Sequence, residues 1–525
     1  MLIYWHKRDL RLLDNPALTL ALDLCRSHDL VFLPIFGLET DLIESQDTGY
    51  EFNDFYKYRF ISAAIPLFNN YAHFGINANL FYCPILKHLE FLNTKNKIKI
   101  LINHQEHGTD ATYARDKKVA KFCKNNNIEW IQIAPSGVVR NLNSRDGRDK
   151  LVKEYLNTNI LPIPNFKNIK QIESIDNTPV LNIFENIKKQ IGSIYDLQPT
   201  SEKSALICLE SFTSDRASNY RGGISSPNKA MEFGSRLSQY LAFGSVSLKY
   251  VHQYFAKELK LSDNNKIKSG ILGATQRLHW REHFIQRLET SPNMTDVAIH
   301  PDYNNIEYNN QYFDAYKRGV TGEPLIDACI RCLLATGFIN FRIRALLVSY
   351  GVFGLDINWR DLGRFLATTF LDYEPGIHWS QIQMQAGITG INTIRVYSPH
   401  KQIIDQDPDC IFIKKWIPEL STLTSEQIQN YTKISLSELT NGRYPNPVVD
   451  FKAASKINKA KTYGIRSETT KESSQKVFIK HGSRKPRVKK AVIKKESIEK
   501  VIKKKILTKK EILSLESNAR NLTLF

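Results

Sequence analysis

The first 130 residues set the tightest limit on what this chain can fold into. Short runs rich in β-branched and aromatic residues recur through them: LIYW (2–5), VFLPIF (31–36), INANLFY (76–82), IKILIN (98–103) and IEWIQI (128–133). Between the runs lie stretches with helical spacing of apolar residues, such as NPALTLALDLCRS (15–27) and YKYRFISAAIPLFNNYAHF (56–74). Strands that alternate with helices bury their surfaces as a parallel sheet with helices laid over it. No GxGxxG follows the first run, so a dinucleotide fingerprint of the dehydrogenase type is absent. The expectation is an α/β domain with a parallel, Rossmann-like sheet over residues 1–132.

The rest of the chain reads differently. Residues 133–204 are polar, weakly periodic and carry ILPIPNFKNIKQIESIDNTPVL, the composition of a long linker crossing the surface. From 205 to 457 the spacing is helical, with long apolar faces in PLIDACIRCLLATGFINFRIRALLVSYGVF and DLGRFLATTFLD. That all-helical domain has the bulk to bury a large ligand between its helices. A tail, 458–525, closes the chain. The net charge is +19, and residues 461–525 hold 13 of it, leaving +6 for the first 460. The tail is expected to be disordered or partly helical. It either grips a polyanion through its phosphates or is a solvated face.

Several classes are set aside. No apolar run approaches the roughly 18 residues of a membrane span, and the charges of MLIYWHKRDL follow its apolar run where a signal peptide has them before it. A soluble, cytoplasmic, monomeric protein is expected. The seven cysteines are scattered and odd in number, the pattern of reduced thiols. Cys329 and Cys332 have metal spacing, but only Cys410 follows them. Their setting, LIDACIRCLLATG, reads as a buried helical stripe, so no metal site is expected.

Four stretches carry chemistry. In FLDYEPGIHWSQIQMQAG (370–387), Asp372 and Glu374 stand between apolar segments in a stiff, aromatic loop, where carboxylates need a partner. In FINFRIRA (338–345), Arg342 and Arg344 stand amid phenylalanine and isoleucine; either they reach solvent or one of them meets Asp372 or Glu374. GSRLSQYLAFGSVS (234–247) puts Ser235, Arg236 and Ser238 at a helix start, suited to a phosphate or to a simple serine cap. QRLHWREHFIQRL (276–288) interleaves Trp280 with Arg277, Arg281, Arg287, His279 and His283, either for stacking on bases and gripping phosphates or as an amphipathic helix with a basic face.

These stretches, with YWHKRDLRLLDNPAL, TGEPLIDACIRCLLATGFINFRIRA and SPHKQIIDQDPDCIFIKKWIPEL, resemble the photolyase/cryptochrome family in order and spacing from Met1 to about Ile457. YRGGISSPNKA and YEPGIHWSQIQMQAGITGINT look most like a prokaryotic photolyase-like branch. The resemblance implies an α/β antenna domain, a linker and a helical domain holding FAD below a cavity for a flipped-out lesion. It implies light-driven electron transfer from reduced FAD to a pyrimidine dimer, with UV-damaged DNA as partner. It sets Tyr220, Gly234, Ser235, Arg236, Leu237, Ser238 and Arg281 against FAD. Arg344 and Asp372 become the ion pair beside the flavin ring, with Glu374 also facing the ring. Trp280 floors the lesion pocket, and Arg277, Asn340, Phe341, Met384 and Gln402 lie toward DNA.

The pattern also departs from the family. His378 stands where relatives have an asparagine facing flavin N5. Ile382 and Met384 replace two tryptophans, one starting the chain that photoreduces the flavin and one lining the lesion pocket. Trp359 matches the middle member of that chain; Trp379, one turn before Ile382, either substitutes or is core. Arg277 takes the place of a lesion-contacting glutamate. Glu106 and Arg115 border a possible antenna site, for a folate, a deazaflavin or nothing. Repair of cyclobutane dimers leads; the alternatives are a cryptochrome-type blue-light receptor and a (6-4) photolyase.

Overall fold

The computed structural model describes residues 1–44, 53–142, 145, 147–173, 175–468 and 471–482. The apolar runs form β1 (Leu2–Trp5), β2 (Phe32–Leu38), β3 (Asn79–Tyr82), β4 (Ile100–His104) and β5 (Glu129–Ile133). All neighbours are parallel, in the order β3-β2-β1-β4-β5, with Leu2 opposite Phe32 on one side and Ile100 on the other. Successive side chains of β1 enter different cores. Leu2 and Tyr4 join Phe36 and Ile102 beneath α1 (Pro16–Ser27) and α2 (Asp54–His73). Ile3 and Trp5 join Leu33 and Leu101 beneath α3 (Ile85–Lys95) and α4 (Asp110–Asn125). A strand covered on both faces must be apolar at every position, which is why LIYW shows no alternation.

The order reverses between β1 and β4, so their carboxyl ends flank the crevice where open α/β sheets place ligands. Here Lys7, Arg8, His104, Gln105 and Glu106 occupy that position, and the helical part closes over them.

The stretch expected to cross the surface contains α5 (Arg148–Leu156) and α6 (Thr178–Gly192). α6 drives Phe184 into the sheet domain's core, edge-on to Phe60 at 6.0 Å. Its polar flanks masked an amphipathic stripe.

The helical part uses α7 (Ser238–Phe243), α8 (Asn265–Thr290), α9 (Pro324–Thr336), α10 (Phe341–Ser349), α11 (Trp359–Thr369) and α12 (Pro375–Gln385) to build the site. α8 and α12 approach so closely that a Cβ on Gly376 would fall 2.5 Å from Ile285 Cα. The sheet and helical parts also meet backbone to backbone: Gly244 (φ +72°) caps α7, and a Cβ there would lie 1.9 Å from the Arg8 carbonyl. Lys249 and Asp14 pair across the same seam at 2.9 Å. Met1–His481 form one compact unit.

The tail boundary expected at 457–458 falls inside α13 (Phe451–Glu468), which is followed by α14 (Lys471–His481). Asn458 Nδ2 donates to the Phe353 carbonyl at 3.0 Å and Lys461 meets Asp356 at 2.6 Å, so this part of the tail is docked helix. Most of the basic run, residues 483–525, lies outside the described residues. Among the described residues no helix is long and apolar enough to cross a membrane, and no group of three or more His, Cys, Asp or Glu could hold a metal ion. Cys329 and Cys332 are buried, unpaired thiols within α9, and burial pushes Cys332 up to about 11.

Candidate cofactor and substrate site

Arg344 projects from the second turn of α10 into an aromatic setting. Its guanidinium lies 4.2 Å over the Phe370 ring and its Nε donates to the Ile339 carbonyl at 2.7 Å. The remaining nitrogens donate to Asp372, Nη1 to Oδ1 at 2.9 Å and Nη2 to Oδ2 at 3.1 Å. Burial works against the Asp372 charge, but Arg344 and the Ser238 hydroxyl outweigh it and hold the carboxyl below its ordinary range. Arg342 is exposed.

Arg236 enters the same neighbourhood from the other side. Its backbone is left-handed (φ +56°), which delays the helix start expected at Ser235 until Ser238. Its Nε and Nη2 donate to Gln198 Oε1 at 3.1 and 2.7 Å, and its guanidinium lies 4.1 Å over Phe338. The Asp372 charge acts on it. Gly234 precedes it where a Cβ would meet the Ala230 carbonyl at 2.5 Å, and Leu237 and Tyr220 are buried alongside, Tyr220 edge-on to Phe212. The Ser235 carbonyl accepts from Cys208 Sγ at 3.3 Å.

Glu374 and Arg281 carry their charges to each other. Glu374 Oε2 accepts from Arg281 Nη2 at 2.8 Å and from Arg8 Nη2 at 2.7 Å, while Arg8 Nη1 reaches Oε1 at 3.3 Å. The resemblance sets Arg281 against FAD and Glu374 toward its ring; here the two pair with each other. Arg8, from the loop after β1, shares the carboxylate with Arg281 and also donates to the Ala242 carbonyl at 2.5 Å. Arg59 of α2, fully enclosed, donates to the carbonyls of Leu371 and Tyr373 at 2.8 and 3.1 Å. The loop that bears Asp372 is therefore held from the sheet domain. Arg8 and Arg59 were not singled out in the sequence; an arginine inside the apolar helix YKYRFISAAIPLF was the available signal.

His378 of α12 is buried, and its Nε2 lies 2.8 Å from the Gly363 carbonyl. A carbonyl only accepts, so Nε2 carries the hydrogen. Burial brings the pKa down to about 4, so the ring is neutral near pH 7 and Nδ1 bears a lone pair. The His378 ring lies 5.3 Å from Trp379, and Trp379 lies 6.2 Å edge-on from Trp359. Trp379 Nε1 donates to Tyr373 Oη at 3.3 Å; Trp359 Nε1 has no partner. Ile382 is buried apolar core.

Of the residues set toward DNA, Trp280 is 44% exposed and Phe341 54%, with the Arg277 guanidinium 4.8 Å over the Trp280 ring. Met384 is half-buried. Asn340 is buried at the start of α10, where its Nδ2 donates to the Ile224 and Ser225 carbonyls at 2.9 and 3.0 Å and its Oδ1 has no partner. Gln402 is buried too, with Oε1 unpartnered. At the crevice beside β1 and β4, Arg115 pairs with Glu106, with Glu39 at 2.8 Å and with Asp116 at 2.9 Å. The adjoining cavity, between Lys7, Glu106, Arg281 and Glu374, measures about 70 Å³.

The chain thus combines a parallel α/β half with a helical half that holds the Arg344–Asp372 ion pair and exposes Trp280 and Phe341. The DNA photolyase family profile matches residues 2–150, and that of the FAD binding domain of DNA photolyase matches residues 274–463. The chain belongs to the photolyase/cryptochrome family, and FAD is its cofactor. It is 24% identical over 482 residues to a deoxyribodipyrimidine photo-lyase of Buchnera aphidicola, covering 87% of this chain and 95% of that one. It is 31% identical over 199 residues to a cryptochrome DASH of Solanum lycopersicum, 37% of this chain and 34% of that one. An archaeal photolyase from Sulfolobus tokodaii, solved with two FAD molecules, superposes with a TM-score of 0.71 at 25% identity, over 88% of this chain and 99% of that one.

Proposed function

We propose that this chain is a light-dependent lyase that splits cyclobutane pyrimidine dimers in DNA. The convergence of Arg236, Ser238, Asp372 and Arg344 in one neighbourhood carries the reading. These residues suit FAD. Its ring edge presents both donors and acceptors, which the Arg344–Asp372 pair answers with both polarities; Arg236 is the cation for the diphosphate. Asn340 Oδ1 supplies a buried acceptor with no partner among the described residues, and Gly234 lets backbone come close. When bound and reduced, FAD supplies the photoexcited electron that cleaves the dimer.

The chain's own residues do the rest. Asp372, kept ionised by Arg344, orients the ring. His378 offers Nδ1 as an acceptor without a proton to give, where an asparagine amide could donate. Trp280 and Phe341 present exposed faces on which an unstacked base can stack, and Arg277 adds a cation over the first of them. Trp379 substitutes for the tryptophan replaced by Ile382 and leads on to Trp359, the middle member, 6.2 Å away. The deoxyribodipyrimidine photo-lyase names among the relatives support dimers as substrate; the cryptochrome DASH relatives support the receptor as second reading. The test is illumination of the flavin-reduced protein with an oligonucleotide bearing one thymine dimer, against a dark control. Restoration of thymines only in light is the expected result. No restoration with reduced flavin verified by absorption refutes the reading and leaves a light receptor or (6-4) repair.

A further inference from the structure

Away from this site, α8, α5 and α14 bring together a buried group of cations. Arg287 of α8 is 3% exposed; its Nη2 donates to the His481 carbonyl at 3.0 Å and lies 3.3 Å from His283 Nε2. Its Nε and Nη1 have no hydrogen-bond partner among the described residues. Arg148, the first residue of α5, is also buried, with Nε and Nη2 unpartnered. Asp149 lies 3.9 Å from Arg148 Nη1 with a side chain 88% exposed. Arg145 Nη1 approaches His283 Nδ1 at 3.1 Å and the His481 carbonyl at 3.5 Å.

Among the described residues, the N–H groups of Arg148 and Arg287 outnumber the acceptors that meet them. Both ring nitrogens of His283 face guanidinium N–H groups, yet a neutral imidazole accepts at one nitrogen only and an imidazolium at neither. The surrounding charges and burial push His283 down to about 2 and His481 to about 3, so neither adds an anion or needs one itself. The buried carboxylate bearing on the cluster is Glu282, which acts on Arg148 and also lies 3.5 Å from Arg281. Among the described residues no acid pairs with Arg287, whose charge is opposed first by burial and then by Arg145, bringing it to about 9. Buried guanidinium groups persist when an anion with several lone pairs sits among them. The positive end of α5 adds to the same potential.

We propose that Arg148, Arg287 and His283 form a binding site for a tetrahedral oxyanion, inorganic phosphate or a phosphate monoester, which fastens the end of α14 at His481 to α8. The site is independent of the flavin reading. The experiment uses the full-length, flavin-bound protein and measures thermal unfolding in sodium phosphate against sodium chloride of equal ionic strength, with a nucleoside monophosphate as a third arm. Phosphate at a hundredfold excess over its Kd raises the midpoint by about 3 °C. A nucleotide that matches phosphate places the source in esters; one that does not places it in the free ion. Arg287→Met supplies the sign test: it loses stability in phosphate and holds or gains it in chloride, where it removes an unpaired buried charge. Arg148→Gln abolishes the phosphate increment while the flavin spectrum stays unchanged. The same midpoint in phosphate and chloride, or an equal loss from Arg287→Met in both, overturns the proposal.

Discussion

Replacing Glu374 by glutamine tests whether this carboxylate clamps the two halves of the chain or faces the cofactor. Its two oxygens take three guanidinium nitrogens, from Arg8 at 2.7 and 3.3 Å and from Arg281 at 2.8 Å, with side-chain exposures of 4, 19 and 14% for Glu374, Arg8 and Arg281. Removing the anion the two mostly buried cations share leaves Arg281 only Glu282 at 3.5 Å and Arg8 only the more distant Glu106, a loss of about 3–5 kcal/mol. Unfolding entropy of roughly 2.1 cal/mol/K per residue makes that about 3–5 °C in midpoint for a unit the size of Met1–His481. Calorimetry on the flavin-bound and flavin-stripped protein reads the shift. A double-mutant cycle with Arg8→Met sharpens it. Once the partner cation is gone, Glu374→Gln costs less, so the combined loss falls short of the sum by about 1–3 °C. Strict additivity, or an altered flavin spectrum with no change in the stripped protein's midpoint, would refute the clamp and return Glu374 to the ring.

Trp379→Phe should slow photoreduction of the flavin at least tenfold, measured by absorption under blue light, while protein reduced chemically beforehand repairs at an unchanged rate. Trp280→Ala removes an exposed stacking face and should weaken binding of dimer-containing oligonucleotide by about 1–3 kcal/mol with flavin content unaltered; loss of flavin would show that Trp280 belongs to the cofactor site. His378 has its folded pKa lowered to about 4 from 6.5, so the unfolded chain binds a proton that the native one refuses, and stability falls as pH drops through that window. The share owed to this residue is at most about 3 kcal/mol, or about 3 °C, and comparing midpoints of wild type and His378→Asn between pH 7 and pH 4 isolates it.

Much of this was legible in the residues themselves, and what was not has a common cause. LIYW and IKILIN declared a doubly covered sheet because strands without alternation have few other homes. Arg344 amid phenylalanines demanded an acid within reach, and the loop 28 residues on offered Asp372. Glu374 looked equivalent to Asp372 from its spacing alone. Its partner Arg8 lies 366 residues away, and no local pattern encodes a contact set by the docking of two domains. The same holds for Arg59, and for His481, which meets Arg287 only because α14 folds back on α8. The helix of the supposed linker was hidden because only Phe184 and Ile191 on it are fully buried. Arg236 broke the helix that its neighbours announced because it adopts a left-handed backbone that serine-rich composition does not forecast.

The two hydrogen bonds from Arg59 to the Leu371 and Tyr373 carbonyls bear on how such a chain could be dismantled or rebuilt. A sheet half joined to a helical half in this way is easily imagined as an accessory that can be traded for another. Here it supplies the scaffolding for the acidic loop of its neighbour, so a gene fragment encoding only the helical half would expose two carbonyls and leave the Glu374 carboxylate to Arg281 alone. Exchange of one such half for another must carry over an arginine at the depth of Arg59 and another after the first strand. Any such exchange is therefore constrained at Arg8 and Arg59, two positions whose work is to hold the acidic loop of the other half.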